Sequence, residues 1–204
     1  MGLIISNMRE LLIATNNKGK IDELRLLLND APFTLLSLDD VGIDFDVEET
    51  ATTFEGNAII KAMTYGAMSG KLTLAEDSGL AIDFLGGRPG VLTKRYAEGT
   101  SDNGHAKIFA ELAGVPDEQR TAQFVSVIVL YEPTSHAVRI CEGVVRGKIT
   151  HEAQGTNGFG QDPIFLYDDT GKTGGVMSTE EKNRVSHRSK SLKKAKETLL
   201  KEFV

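Results

Sequence analysis

The stretch Glu10-Leu11-Leu12-Ile13-Ala14-Thr15-Asn16-Asn17-Lys18-Gly19-Lys20 decides the fold class. Its apolar first half has the length and character of a buried strand, and it breaks at Thr15 into a polar, glycine-containing turn. Beyond the turn the period changes. Ile21, Leu24, Leu27 and Leu28 recur at the three-and-four spacing of one helix face, with Asp22, Glu23 and Arg25 on the other. Strand, polar turn and helix in succession open an α/β domain and leave backbone N–H groups free at the helix start.

Working outward, a second helix is expected to begin near Thr52, where Thr52 and Glu55 have capping-box spacing, and to run to Gly70 with Asn57, Lys61 and Thr64 on one polar face. A strand over 72–75 follows. The acids Glu76-Asp77 then read as a turn with Ser78-Gly79, leading to a short strand over 80–83 and the Gly/Pro-dense loop 85–90. A helix from about Asp102 to Ala113 precedes two long β-type segments, 121–131 and 137–149, joined by a hairpin-like connection; this region could form a second lobe. A glycine-rich loop, 155–163, leads into Ile164-Phe165-Leu166. Ser178 and Glu181 have capping-box spacing, and Ser186-His187-Arg188 separates that helix from a last one that sets Leu192, Ala195 and Leu199 against Lys193, Lys194 and Lys196.

A chain of 204 residues with 40% hydrophobic and 25% charged residues can bury one sizeable core, so we read residues 1–204 as a single domain. The net charge of −6 argues against nucleic-acid binding, which depends on clustered Lys and Arg, while leaving room for a small anion held by local positive charge. A lone cysteine, Cys141, excludes an intrachain disulfide. Met1–Ser6 lacks the basic start of a signal peptide, and no run approaches the roughly 20 apolar residues that span a bilayer, so a cytoplasmic location without a membrane partner is expected.

Three clusters carry candidate chemistry. The turn Thr15 to Lys20 offers hydroxyl, amide, backbone N–H and ammonium donors at a helix start, which suits a phosphate chain, although the Walker spacing is absent and an ordinary solvated turn has the same composition. Adjacent carboxylates at Glu76-Asp77 call for a compensating cation if buried. Glu48-Glu49 could supply a further ligand, and Mg²⁺ suits so sparse a supply because it completes its shell with water and phosphate. His187 and Arg188 are donors to oxygen acceptors, or else a helix cap with surface charge. The four histidines show no zinc spacing, and no Gly-x-Ser-x-Gly elbow is present. Phosphate donors, a magnesium carboxylate and donors for a base carbonyl together point to a nucleoside triphosphate.

In that order, the segments Ala14–Lys20, Phe54–Ala62, Glu76–Leu80, Gly158–Phe165 and Ser186–Arg188 resemble the inosine triphosphate pyrophosphatase family over nearly the whole chain. The resemblance implies an α/β fold with a mixed central sheet, flanking helices and two lobes enclosing an active-site cleft, assembled as a homodimer. It implies hydrolysis of ITP, dITP and XTP to the monophosphate and pyrophosphate, with Mg²⁺ as cofactor. Asp77 would bind the metal and act on the attacking water, with Glu49 as the further metal ligand, Glu48 as the alternative register, and Lys61 balancing phosphate charge. Thr15, Asn16, Asn17, Lys18, Gly19 and Lys20 would cradle the triphosphate. Ser78 would touch substrate, and Phe159, Gly160, Gln161, Asp162, Lys182, His187 and Arg188 would form the base pocket.

Two positions depart from the family pattern: Gln161 stands where relatives often carry an aromatic residue, and Glu76 where many carry aspartate. Ser186-His187-Arg188 argues against the similarly folded Maf-like enzymes of modified pyrimidines. The alternative of another class is a regulatory module that holds a triphosphate without cleaving it.

Overall fold

The computed structural model describes residues 8–97 and 104–204. The Met1–Ser6 stretch and the expected helix start at Asp102 lie outside them. One six-stranded mixed sheet organises the chain: β1 (Arg9–Ile13), β2 (Phe33–Leu36), β3 (Leu72–Ile82), β4 (Thr121–Glu132), β5 (Ala137–Ile149) and β6 (Phe165–Tyr167), in the order β2-β1-β3-β4-β5-β6. β1 runs parallel to both β2 and β3, and the remaining pairings are antiparallel. The helices are α1 (Lys18–Leu27), α2 (Phe54–Ser69), α3 (His105–Glu111), α4 (Thr179–Val185) and α5 (His187–Glu202). Among the described residues no helix is long and apolar enough to cross a membrane.

Strand alternation sorts the core. Leu11, Ile13, Leu72 and Leu74 face one side and pack with Leu24 of α1, its C-cap Leu28, and Leu192, Ala195 and Leu199 of α5. Leu12, Ala14 and Ala75 face the other and pack with Ala58, Ala62 and Tyr65 of α2. The far ends of β3, β4 and β5 carry a third cluster, in which Leu80, Phe124 and Val145 meet Ile108 and Leu112 around α3.

Three differences from the sequence expectation bear on the site. The acidic turn does not exist: β3 runs unbroken through Glu76, Asp77, Ser78 and Gly79, which pair in register with residues 125–128 of β4. A ten-residue antiparallel ladder outweighs the poor strand preference of acids and glycine. The first helix starts at Lys18, so Lys18, Gly19 and Lys20 belong to its opening turn, and Asn17 caps it by accepting from Lys20 N at 3.1 Å. The cap of α2 is Thr53 rather than Thr52, its hydroxyl accepting from Gly56 N at 3.0 Å. The Ser178–Glu181 capping box and the helix start at Ser186 form as expected.

Candidate active site

Because consecutive strand residues alternate, Glu76 and Asp77 leave β3 on opposite faces, both buried. The adjacent acids are therefore not a repelling pair. Each has its own set of compensating groups.

Asp77 faces α2. Asn57 and Lys61 lie one helical turn apart and are both buried. Asn57 accepts from Ala51 N at 2.9 Å and donates its Nδ2 to Asp77 Oδ2 at 3.2 Å, which ties the chain ahead of α2 to the strand. Lys61 Nζ donates to Glu49 Oε1 and to the Glu76 main-chain oxygen, both at 2.8 Å, and stands 3.5 Å from Asp77 Oδ1. Burial lifts the Asp77 carboxyl above its ordinary range even against the Lys61 charge. The Lys61 ammonium is destabilised by burial, but Asp77 and Glu49 more than offset this and raise its pKa. Burial pushes Glu49 up, Lys61 pulls it down, and the net direction is down. Glu49, half-buried, is the member of the Glu48-Glu49 pair that reaches Lys61; Glu48 is exposed.

Glu76 faces α1 and α5. Arg188 Nε donates to both of its carboxylate oxygens, at 2.9 and 3.0 Å, Ser126 Oγ donates to Oε1 at 2.8 Å, and Lys20 Nζ stands 3.6 Å from Oε2. Burial alone would raise this carboxyl; Arg188 and Lys20 outweigh it and hold Glu76 far below the usual carboxylate range. Arg188 also pairs with Glu23 through Nη1 and donates Nη2 to Ser78 Oγ at 3.2 Å.

The glycine-rich loop closes against the start of α1. Asp162 Oδ2 accepts from Phe159 N at 2.8 Å and from Lys182 Nζ at 2.6 Å, and Lys182 also reaches Glu23 Oε1 at 2.8 Å. The Phe159 ring lies against Gly19, where an added Cβ would come within 2.8 Å of it, with Lys182 Nζ 4.8 Å and Arg188 Cζ 5.4 Å from its centroid. Only a residue without a side chain at position 19 leaves room for that ring. His187 stacks on Phe124 at 4.6 Å; burial first, then Arg188, push its imidazole well below the usual value, so it is neutral at pH 7. Its Nδ1 has no hydrogen-bond partner among the described residues.

The structure thus gathers Lys20, Ser78, Phe159, Asp162, Lys182 and Arg188 around Glu76 and Glu23 on one face of β3, sets Lys61 against Asp77 on the other, and leaves His187 stacked on Phe124 at the edge. The early turn residues divide. Thr15 Oγ1 accepts from Asn17 N at 3.2 Å and shapes the turn, Lys18 is exposed, and Asn16 donates to Asp46 at 2.8 Å. Gly160 presents its carbonyl to His105 Nε2 at 2.9 Å, and Gln161 is buried beside it. Sequence reasoning missed two members of the network. Glu23 bridges Lys182 and Arg188, partners from α4 and α5 that no local spacing could reveal. Ser126 was legible as the one hydroxyl inside the apolar run Phe124–Leu130.

The donor set can hold a hard cation. Two carboxylates and a main-chain oxygen already converge on one ammonium, Lys61 Nζ. Among the described residues no group of three or more His, Cys, Asp or Glu side chains is placed to hold a metal ion, so the protein would supply at most Asp77 and Glu49 as carboxylate ligands.

The sequence profile of the Ham1 family matches residues 11–198. The chain belongs to the Ham1 family. The dITP/XTP pyrophosphatase of Bacillus licheniformis is 45% identical over 190 residues, 92% of this chain and 96% of that protein. The dITP/XTP pyrophosphatase of Bacillus subtilis is 42% identical over 194 residues, 94% and 98% of the two. The structure of a Ham1 protein from Coxiella burnetii superposes with a TM-score of 0.87 at 37% identity, covering 95% of this chain and all of that one. The Ham1 protein of Staphylococcus aureus does so at 0.85 with the same identity and coverage. The mixed sheet with flanking helices is the Ham1 fold.

Proposed function

We propose that this chain hydrolyses nonstandard purine nucleoside triphosphates, ITP, dITP and XTP, at the α-phosphorus, releasing the monophosphate and intact pyrophosphate. The observation that carries the reading is the division of β3: a buried carboxylate with a raised pKa beside a lysine and a second acid on one face, and a cation cluster running to the glycine-rich loop on the other. Membership of the Ham1 family, and relatives named dITP/XTP pyrophosphatases, supply the substrate class and the product.

Asp77 and Glu49 would hold Mg²⁺, which when bound supplies Lewis-acid charge to the phosphoryl oxygens. Asp77, buried on the α2 face of β3 beside Lys61 and Glu49, accepts a proton from the attacking water. Lys61 and Lys20 offset the negative charge of the triphosphate, and the start of α1 adds the positive end of its dipole. At the other end Phe159 stacks on the purine. Lys182, Arg188 and neutral His187 face its 6-keto edge, and adenine, with an amino group there, offers these donors no acceptor; buried sites of this kind discriminate by orders of magnitude. Asp162 and Glu23 hold the two cations in place until the base arrives. The family resemblance adds two lobes around this cleft, a homodimer and a cytoplasmic location.

Incubation with Mg²⁺ and dITP, XTP, GTP or ATP, with the products identified, tests the reading. Pyrophosphate from dITP and XTP is expected; orthophosphate as the product, or ATP turned over as fast as dITP, overturns it.

A further inference from the structure

One arginine outside the proposed chemistry, Arg95, stands at the Glu49 carboxylate. Arg95 lies on the short 3-10 turn Arg95–Ala97, and the chain reaches that turn through a segment strapped to β3 directly after Ser78. Thr93 Oγ1 accepts from Leu80 N at 3.0 Å and donates to Gly90 O at 2.6 Å. Gly79 permits the approach: a Cβ there would lie 2.7 Å from Gly90 O and collide with Thr93 Oγ1. The strap that carries Arg95 is therefore registered against the backbone beside Asp77 and Ser78.

From this strap Arg95 Nη2 stands 3.9 Å from Glu49 Oε2, while Lys61 bonds the other oxygen at 2.8 Å. The longer distance is an ion pair but exceeds a hydrogen bond. The Arg95 side chain is 49% exposed, so its donor fork stays open to solvent at the edge of the site. Glu49 Oε1 is hydrogen-bonded by Lys61, so Glu49 keeps that partner when Arg95 turns to another anion. A planar fork of donors held beside an acidic cluster that would hold a metal is matched to the paired oxygens of a phosphoryl group.

We propose that Arg95 binds the terminal phosphoryl oxygens of the substrate and remains on them as pyrophosphate departs. The proposal rests on the pyrophosphatase reading. In that reaction the water oxygen bonds to the α-phosphorus, the bond from the α-phosphorus to the bridging oxygen breaks, its electron pair goes to that oxygen, and the water proton goes to Asp77. Negative charge thus accumulates on the leaving pyrophosphate, and a guanidinium beside it lowers the barrier.

Arg95→Ala and Arg95→Lys test this by steady-state kinetics on dITP, inhibition by inorganic pyrophosphate, and calorimetric titration of pyrophosphate into the wild type and each variant with Mg²⁺ present. For Arg95→Ala, with unchanged thermal melting, pyrophosphate binding is expected to weaken about tenfold or more, the size of a lost charge-assisted pair. KM for dITP rises with it, inhibition by the monophosphate stays as in the wild type, and Arg95→Lys falls between. Pyrophosphate binding within twofold of the wild type overturns the proposal. So does a change confined to the Mg²⁺ concentration for half-maximal activity, which would make Arg95 a support for Glu49. Orthophosphate released by the wild type would instead overturn the pyrophosphatase reading, and the calorimetric comparison would still report on Arg95.

Discussion

Replacing Glu76 by Gln separates a structural charge from a catalytic one, and the size of the effect follows from its partners. Arg188 Nε rests on both Glu76 oxygens, Ser126 donates to one of them, and Lys20 stands 3.6 Å from the other. Glutamine offers one acceptor oxygen and turns an NH₂ toward donors. Arg188, only 2% exposed, then keeps Glu23 as its counter-charge but loses its bond to a carboxylate behind it. Breaking a buried ion pair from one side costs about 3–5 kcal/mol. At roughly 2.1 cal/mol/K of unfolding entropy per residue, a chain of this length should lose about 7–12 °C in Tm. The pH dependence has a definite sign. The folded Glu76 carboxyl lies far below its ordinary 4.5, so its stabilisation is complete above that value and is lost as pH falls below it toward the folded value. Wild type and variant should therefore melt furthest apart at neutral pH and converge on acidification from about pH 5 to pH 3. Glu76→Asp keeps the charge and should recover most of the difference. Circular-dichroism melts across that range, with Mg²⁺ titrations of activity, check the argument. A neutral-pH difference under about 2 °C, or one that does not shrink in acid, refutes the structural role. An unchanged Tm with a raised Mg²⁺ requirement would make Glu76 a metal ligand instead.

Three other substitutions follow from the same geometry. Asp77→Asn should cut kcat on dITP by roughly 10²–10⁴-fold with nucleotide binding retained in a filter or calorimetric assay; turnover near wild type would remove Asp77 from the chemistry. Gly19→Ala introduces a Cβ within 2.8 Å of the Phe159 ring. It should raise KM for dITP about 3- to 10-fold, the worth of one aromatic stacking contact, with kcat little changed; an unaltered KM would show that the ring is not a base contact. Gly79→Ala forces the strap at Gly90 and Thr93 away from β3. A loss of about 1–3 kcal/mol by denaturant titration is expected, together with weaker pyrophosphate inhibition, because the strap carries Arg95.

What the sequence could and could not reveal turns on the same strand. The opening strand, turn and helix announced an α/β sheet, and the caps at Ser178 and Ser186 were readable because capping is local chemistry. Glu76-Asp77-Ser78-Gly79 misled because acids and glycine are poor strand formers, and local preference assigned them a turn. The groups that make a strand possible there come from far along the chain: Lys20 in α1, Lys61 in α2, Ser126 in β4 and Arg188 in α5. No window of neighbouring residues contains them. Once the segment is a strand, its period of two assigns roles that adjacency in sequence had merged. One face takes Glu76 and Ser78 toward Arg188, joining strand, helix start and glycine-rich loop through Glu23 and Lys182. The other takes Asp77 toward Lys61 and Glu49, where the carboxylate is under-compensated and its pKa rises. A full counter-charge network makes Glu76 a poor proton acceptor and a good anchor. Asp77, one residue on, faces Lys61 and Glu49 instead, and burial lifts its carboxyl, which is the property the proposed water-activating role calls on.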